Sequence, residues 1–204
     1  MKTKLLFGMA VLLIGAATVS AQKQEVGLLL GGIKTSDRDI QSPQSGSVRN
    51  SSGLTYYANY AYRLAGGKNA AFYLELPFAA TPSRDVQSTN VNVPRNYASL
   101  FFTPGLKVKF FPAARLSPYG AIGGGYGRID ESEFRINDQA NTGRRGKNSG
   151  VFDFGGGVDI KIVKFLSLRG EVRDFYSVTP NYNVPLSGSR QHNVLTSGGF
   201  VLHF

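Results

Sequence analysis

Eleven ionisable side chains recur at alternating positions along this chain. They are Arg63, Lys107, Lys109, Lys161, Arg169 and Arg173, set against Glu25, Glu75, Asp153, Asp159 and Glu171. Side chains two apart share a face of an extended strand, so six cations and five carboxylates are expected on one side of a sheet. A near balance of charge on one face allows two kinds of chemistry. The groups can pair and fill an interior, because an unpaired buried ion is costly, or they can line a narrow, charge-gated passage. Other chemistries find less. His192 and His203 lie near opposite ends of one stretch, whereas a Ser-His-acid site needs its members within hydrogen-bond reach. There is no cysteine, and the scattered acids and two histidines give no metal-ligand spacing. Gly123-Gly124-Gly125 and Gly155-Gly156-Gly157 lack the following helix and Lys-Ser/Thr of a phosphate loop; in strands, such glycines permit bending and close backbone approach. No catalytic, metal-binding or cofactor-binding residue is assigned.

The elements that would position these groups are strands. With 25 Gly, 10 Tyr and 14 Phe and no helical periodicity, the composition reads as all-β. Alternation predicts strands over Gln24–Ile33, Gly53–Ala65, Ala70–Ala80, Asn96–Phe111, Pro118–Asp130, Ser149–Ile162, Leu166–Val178 and Gln191–Phe204. Phe72, Leu74, Leu76 and Phe78 oppose Tyr73, Glu75 and Pro77; Phe152, Phe154 and Val158 oppose Asp153 and Asp159. Pro104 removes a ladder hydrogen bond inside its strand, so a bulge or kink is expected there. The glycine-dense fifth strand does not disclose its faces. The eight strands are joined by connections that run long, short, long, short, long, short, long.

The N-terminus carries Lys2 and Lys4, an apolar run from Leu5 to Ala17, then Val19-Ser20-Ala21. This is the order of a secretory signal peptide, cleaved after Ala21, and the run is short of the ~20 residues a spanning helix needs. Residues 1–21 are therefore read as a leader and 22–204 as one domain. The C-terminus places Ser197, Gly199, Leu202 and Phe204 at the spacing polar, any, glycine, any, any, hydrophobic, any, aromatic. That spacing resembles the C-terminal assembly signal of bacterial outer-membrane barrels. Together with the leader and the alternating connections, the chain resembles the OmpA-like and OmpX-like small outer-membrane barrels.

The resemblance implies an eight-stranded, antiparallel, up-and-down transmembrane β-barrel in the outer membrane. Turns would face the periplasm and long loops the outside, and closure would leave no strand edge in lipid. It also implies passage by periplasmic chaperones and the barrel-assembly machinery, and a monomer. The larger OmpA-type proteins continue into a peptidoglycan-binding domain; this chain is expected to stop at its barrel and not to tether the wall. Without Trp, the interfacial girdles would be Tyr56, Tyr60, Tyr62, Phe78, Phe110, Phe165, Tyr176 and Phe204. An eight-stranded barrel has an interior just wide enough for side chains, so the eleven charges are expected to form a salt-bridged plug. Glu25 belongs to this set with the ten others.

The net charge of +10 raises nucleic acid as a partner, but export and the dispersion of the charges argue against it. Each long loop nets one positive charge: Lys34, Arg38 and Arg49 against Asp37 and Asp39; Arg84 and Arg95 against Asp85; Arg135, Arg144, Arg145 and Lys147 against Glu131, Glu133 and Asp138; and Arg190 alone. Such loops could meet lipopolysaccharide phosphates. The expected role is structural or surface-interacting, with the loops facing partners. A narrow porin-like channel is the alternative. A lipid A-modifying enzyme, with His192 near a Ser and an acid, is the third reading. A soluble lipocalin-like barrel is the rival fold and would need an apolar interior.

Overall fold

The structure is a computed structural model that describes residues 23–41 and 46–204. The expected leader and its cleavage after Ala21 lie outside the described residues. Among those residues every regular element is a strand: β1 (Gln24–Thr35), β2 (Arg38–Asp39), β3 (Ser47–Asn50), β4 (Gly53–Gly66), β5 (Ala70–Ser88), β6 (Asn96–Phe102), β7 (Gly105–Phe110), β8 (Leu116–Glu131), β9 (Gly146–Val163), β10 (Leu166–Val178) and β11 (Arg190–His203). All pairings are antiparallel. β1 pairs with β4 on one side and β11 on the other, β11 continues through β10, β9 and β8, and β6 and β7 join β8 to β5, which returns to β4. The ring is closed. β6 and β7 are two halves of one wall strand, and β2 and β3 sit in the first loop, so the wall has eight strands.

The wall is inside out. Leu28, Leu30, Phe72, Leu74, Phe152, Phe154 and Phe200 are exposed on the outer face, while Glu75, Asp153 and Arg169 are buried. A water-soluble barrel would reverse this, because exposing a continuous apolar belt to water forfeits its burial energy. The predicted girdle aromatics Tyr56, Tyr62, Phe78, Phe110 and Phe165 lie on this exposed outer surface. The three tight connections all fall at one end, and the long loops at the other.

Two local expectations are corrected and one, the bulge or kink at Pro104, is narrowed by the exclusion of a bulge. Pro104 does interrupt the ladder, but no residue is inserted: Phe102 faces Phe78 and Gly105 faces Glu75, so both strands advance by three. The missing proline N–H breaks the pairing without bulging the strand. Second, residues 81–88, read as loop, continue β5 beyond the belt, with a register shift between Thr81 and Arg84. Third, the first loop holds the β2–β3 hairpin, which extends the β5 sheet through Val48↔Ser88. The fifth predicted strand, β8, turns Ser117, Tyr119, Ala121 and Ile129 inward and Leu116, Ile122 and Tyr126 outward.

Glycine is needed where the small ring crowds its own backbone. A Cβ on Gly199 would overlap the Leu28 carbonyl and Leu29 Cα, and one on Gly155 would overlap the Val172 carbonyl and Arg173 Cα. These residues let β11 meet β1 and β9 meet β10 at close approach.

Candidate functional site: a filled lumen beneath a knitted cap

From the tight-turn end inward, the first interior layer centres on Glu25. Its carboxylate accepts from Lys107 Nζ at 2.7 Å, Arg169 Nη2 at 3.1 Å and Lys109 Nζ. Asp159 takes a two-pronged contact from Arg169, Nε at 2.6 Å and Nη2 at 2.8 Å, and a third from Lys109 Nζ at 2.6 Å. Sheet register brings this about: Arg169 faces Asp159 directly across the β9–β10 ladder, and β1 delivers Glu25 from the other side. Arg169 also lies 4.7 Å above the Tyr119 ring.

The second layer is organised by Arg173. Its Nη2 reaches Glu75 at 2.9 Å, its Nη1 reaches Asp153 at 2.8 Å, and its Nε stands 2.7 Å from Glu171 Oε1. Glu171 also accepts from the hydroxyls of Tyr57 at 3.1 Å and Tyr119 at 2.6 Å, and Asn59 donates to Glu75. The long side chains fit because the β9 residues facing Glu171 and Arg173 are Gly157 and Gly155, which accounts for the second glycine triplet. Lys107, 3.9 Å from Glu75, links the two layers.

The predicted charge set is thus divided. Glu25, Glu75, Lys107, Lys109, Asp153, Asp159, Arg169, Glu171 and Arg173 come together in one buried network. Arg63 and Lys161 do not join it. They lie at the tight-turn rim, where they donate to the carbonyls of Gly67 and Ala113 at 3.3 Å. Their strands have passed the end of the lumen, so alternation still points them inward but nothing is there to receive them. Arg84 is the converse case. Assigned to a loop, it is buried in the lumen, donating to Thr35 at 2.6 Å and Ser99 at 2.8 Å and lying 4.6 Å over Tyr97, with no carboxylate partner among the described residues.

An apolar layer separates Arg84 from the ion-pair network. Leu29, Ile33, Tyr57, Ala79, Phe101, Val151, Phe175 and Leu195 form it, with Phe101 and Phe175 stacked at 5.1 Å. Above Arg84 a second apolar cluster belongs to the loops: Ile40, Val48, Val86, Val93, Tyr97, Ile129, Tyr182 and Val184. Backbone bridges knit these loops together, Ile40 to Leu186 and Pro94 to Arg135. Tyr182 sits in the left-handed region at φ 48°, a strained conformation for a bulky residue. It is held there by its N–H bond to Glu131 at 3.0 Å, its hydroxyl bond to Asn50 at 2.6 Å and an edge-on contact with Tyr97. Burial pushes the Tyr182 phenol well above its usual value. Burial also raises the Glu131 carboxyl, opposed by N–H bonds from Tyr182 and Asn181.

The histidines part company. His192 is on the outer wall, 2.5 Å from Asp174. His203 faces inward at the tight-turn end, with Nε2 2.9 Å from Ser167 Oγ and Nδ1 3.6 Å from Glu25. Serine, histidine and carboxylate therefore stand in sequence at a place that separation along β11 did not suggest. Ser167 is buried, and Glu25 already serves three cations. The contact closes the rim. At the C-terminus, Leu202 points outward, Ser197 lies inside the wall, and the Phe204 backbone exchanges two hydrogen bonds with Gln24.

No family model matches the sequence, and no curated protein matches it. Solved structures do match in fold. The chain is similar to neisserial surface protein A, with a TM-score of 0.56 at 13% identity over 89% of this chain and 97% of that one. It is similar also to the outer membrane protein OprG from Pseudomonas aeruginosa, with a TM-score of 0.62 at 15% identity over 90% and 96%. The closed ring, the exposed apolar wall and these likenesses agree: this chain has the fold of the small outer-membrane β-barrel proteins of bacteria.

Proposed function

We propose that the protein is a non-conducting outer-membrane barrel whose plugged wall supports a rigid outward-facing platform for surface interaction. One observation carries this reading: the lumen is filled from end to end in alternating ionic and apolar layers. An ion entering from the loop side would have to displace the loop cluster around Tyr182, pass Arg84, and then shed its water against stacked Phe101 and Phe175. Dehydrating an ion in such a layer is prohibitive. The loops, in contrast, are spliced into a single cap, which gives a partner a preorganised surface. That cap exposes Val91 and Phe134, with Arg135 bonded to Asn92 between them, a mixture suited to protein contact.

The test is electrical. The folded protein, inserted into a planar lipid bilayer, should give no discrete conductance steps. Steps that appear with the intact chain and persist after repeated purification would favour the narrow-channel reading and overturn this one.

A further inference from the structure

On the outer wall, at the long-loop end, the cations sort by whether they have a partner. Arg128 is paired with Asp130 at 2.6 and 2.8 Å, Arg145 with Glu133 at 2.6 Å, and Arg95 with Asp138 at 2.9 Å. Lys34, Arg38 and Arg190 have no carboxylate partner among the described residues, and the remaining residues contain no Asp or Glu at all. These three occupy one corner. Lys34 is the last outward residue of β1 and faces Val194 across the β1–β11 ladder. Arg190 opens β11 and stacks 5.6 Å over the Tyr176 ring, while the Arg38 guanidinium donates to the Arg190 carbonyl. The acids nearby do not cancel them. Asp174 is taken by His192, and Asp39 is exposed without an ion pair.

From this corner toward the tight-turn end the outer face becomes apolar and carries several glycines. Gly198 faces Leu30 on one side and Gly170 on the other, and Gly32 lies one outward position above Leu30. No atom stands within 4 Å of where a Cβ would project from Gly32 or Gly170. The result is a shallow trough crossing β1, β11 and β10 below three cations with no carboxylate at ion-pair distance among the described residues.

We propose that this corner binds the phosphate of an acylated, phosphorylated glycolipid of the outer leaflet, with one acyl chain lying in the trough. The assignment rests on the outer-membrane reading above. A guanidinium offers two parallel N–H donors to a phosphate, and Lys34 can lay its stem along the wall while its ammonium reaches the headgroup layer. Charge at the headgroup level and a groove at the acyl level recognise the two ends of one molecule. A soluble anion would use only the first.

The test uses the full chain, folded in detergent, and native mass spectrometry with three probes: lipid A, lipid A stripped of its phosphates, and inorganic phosphate as competitor. The parent protein should retain lipid A adducts, bind the dephosphorylated lipid at least tenfold more weakly, and resist displacement by inorganic phosphate. Lys34→Gln/Arg38→Gln/Arg190→Gln should lower lipid A affinity by at least ~10-fold, given what each juxtamembrane cation contributes at an anionic surface. The control Arg128→Gln/Arg145→Gln, which removes paired cations, should stay within about twofold. Single Lys34→Gln, an exposed change, should move in the same direction if the triple variant fails to fold on an unheated gel. Equal binding of the dephosphorylated lipid, equal loss in the control, or full competition by inorganic phosphate would each overturn the proposal. Failure of the outer-membrane reading would show separately, as protein missing from the outer-membrane fraction.

Discussion

Arg173 is the place to strike the interior. Its guanidinium contacts three buried carboxylates, Glu75 at 2.9 Å, Asp153 at 2.8 Å and Glu171 at 2.7 Å. Arg173→Met keeps the apolar stem but removes the guanidinium and strands these groups unequally. Glu171 retains two tyrosine hydroxyls, and Glu75 retains Asn59 and the distant Lys107. Asp153 loses its hydrogen bond to Arg173, and its Oδ1 has no partner to begin with. Removing one member of a buried ion pair costs about 3–5 kcal/mol. For a domain of this size about 1 kcal/mol moves the melting point by roughly 2–4 °C, so a drop of roughly 6–20 °C is expected. The assay is the temperature at which half the protein shifts from folded to unfolded migration on a detergent gel, at one fixed heating rate because barrel unfolding can be irreversible. The drop should persist at high salt, because the site is buried and poorly screened. Arg173→Met/Asp153→Asn should recover part of the loss, since the worst-stranded carboxylate is then neutral. Glu75→Ala and Arg169→Ala should fall in the same direction. A melting point for Arg173→Met within about 3 °C of the parent would refute a load-carrying paired interior.

Two further outcomes test the closure and the cap. Gly199→Ala inserts a Cβ into the Leu28 carbonyl, so the β11–β1 seam should fail to close and the unheated, compact gel band should disappear; Gly170→Ala, whose Cβ meets open space, should leave that band in place. Glu131 ends β8 beyond the apolar belt, and burial raises its carboxyl above the ordinary value. The folded cap therefore holds a proton that the open cap releases, and stability is lost as pH rises from the ordinary carboxylate value through the raised one. Hydrogen-exchange protection at residues 179–189, corrected for the base-catalysed intrinsic rate, should fall over that interval in the parent, and Glu131→Gln, which can still accept the Tyr182 N–H, should flatten the dependence.

What the sequence disclosed depended on lipid. Wherever an outward residue had to be greasy, alternation marked the strand and its faces, so Phe72 to Phe78 and Phe152 to Ile162 were legible. Beyond the belt the outward row is free to be polar. Residues 81–88 lost their signature there, and Arg84 passed for a loop cation. The glycines of β8 hid its faces for a different reason: at Gly123 and Gly125 the inward position has no room for any side chain, so no residue type reports direction. Inward apolar residues such as Leu29 and Phe101 were equally silent, since their neighbours outside are apolar too. The approach of His203 to Glu25 comes from ring closure, which sets the two face to face across the β1–β11 ladder, and no local pattern carries that information.

On the non-conducting reading proposed above, ion pairing alone would not seal this barrel. Below the Phe101–Phe175 layer four cations, Lys107, Lys109, Arg169 and Arg173, meet five carboxylates, Glu25, Glu75, Asp153, Asp159 and Glu171. Above it Arg84 stands as a buried cation with only neutral donors and acceptors around it. The lumen is balanced as a whole and unbalanced in each half. A water-filled passage would let mobile ions neutralise both halves and would screen the field between them. An apolar layer screens the field less, and Arg84 is held by its bonds to Thr35, Asn193 and Ser99 and by the Tyr97 ring. The stacked Phe101 and Phe175 lie between the ion-pair network and Arg84, where the non-conducting reading places the barrier. Widening the aromatic layer, rather than breaking an ion pair, is therefore the change that would turn this wall into a pore.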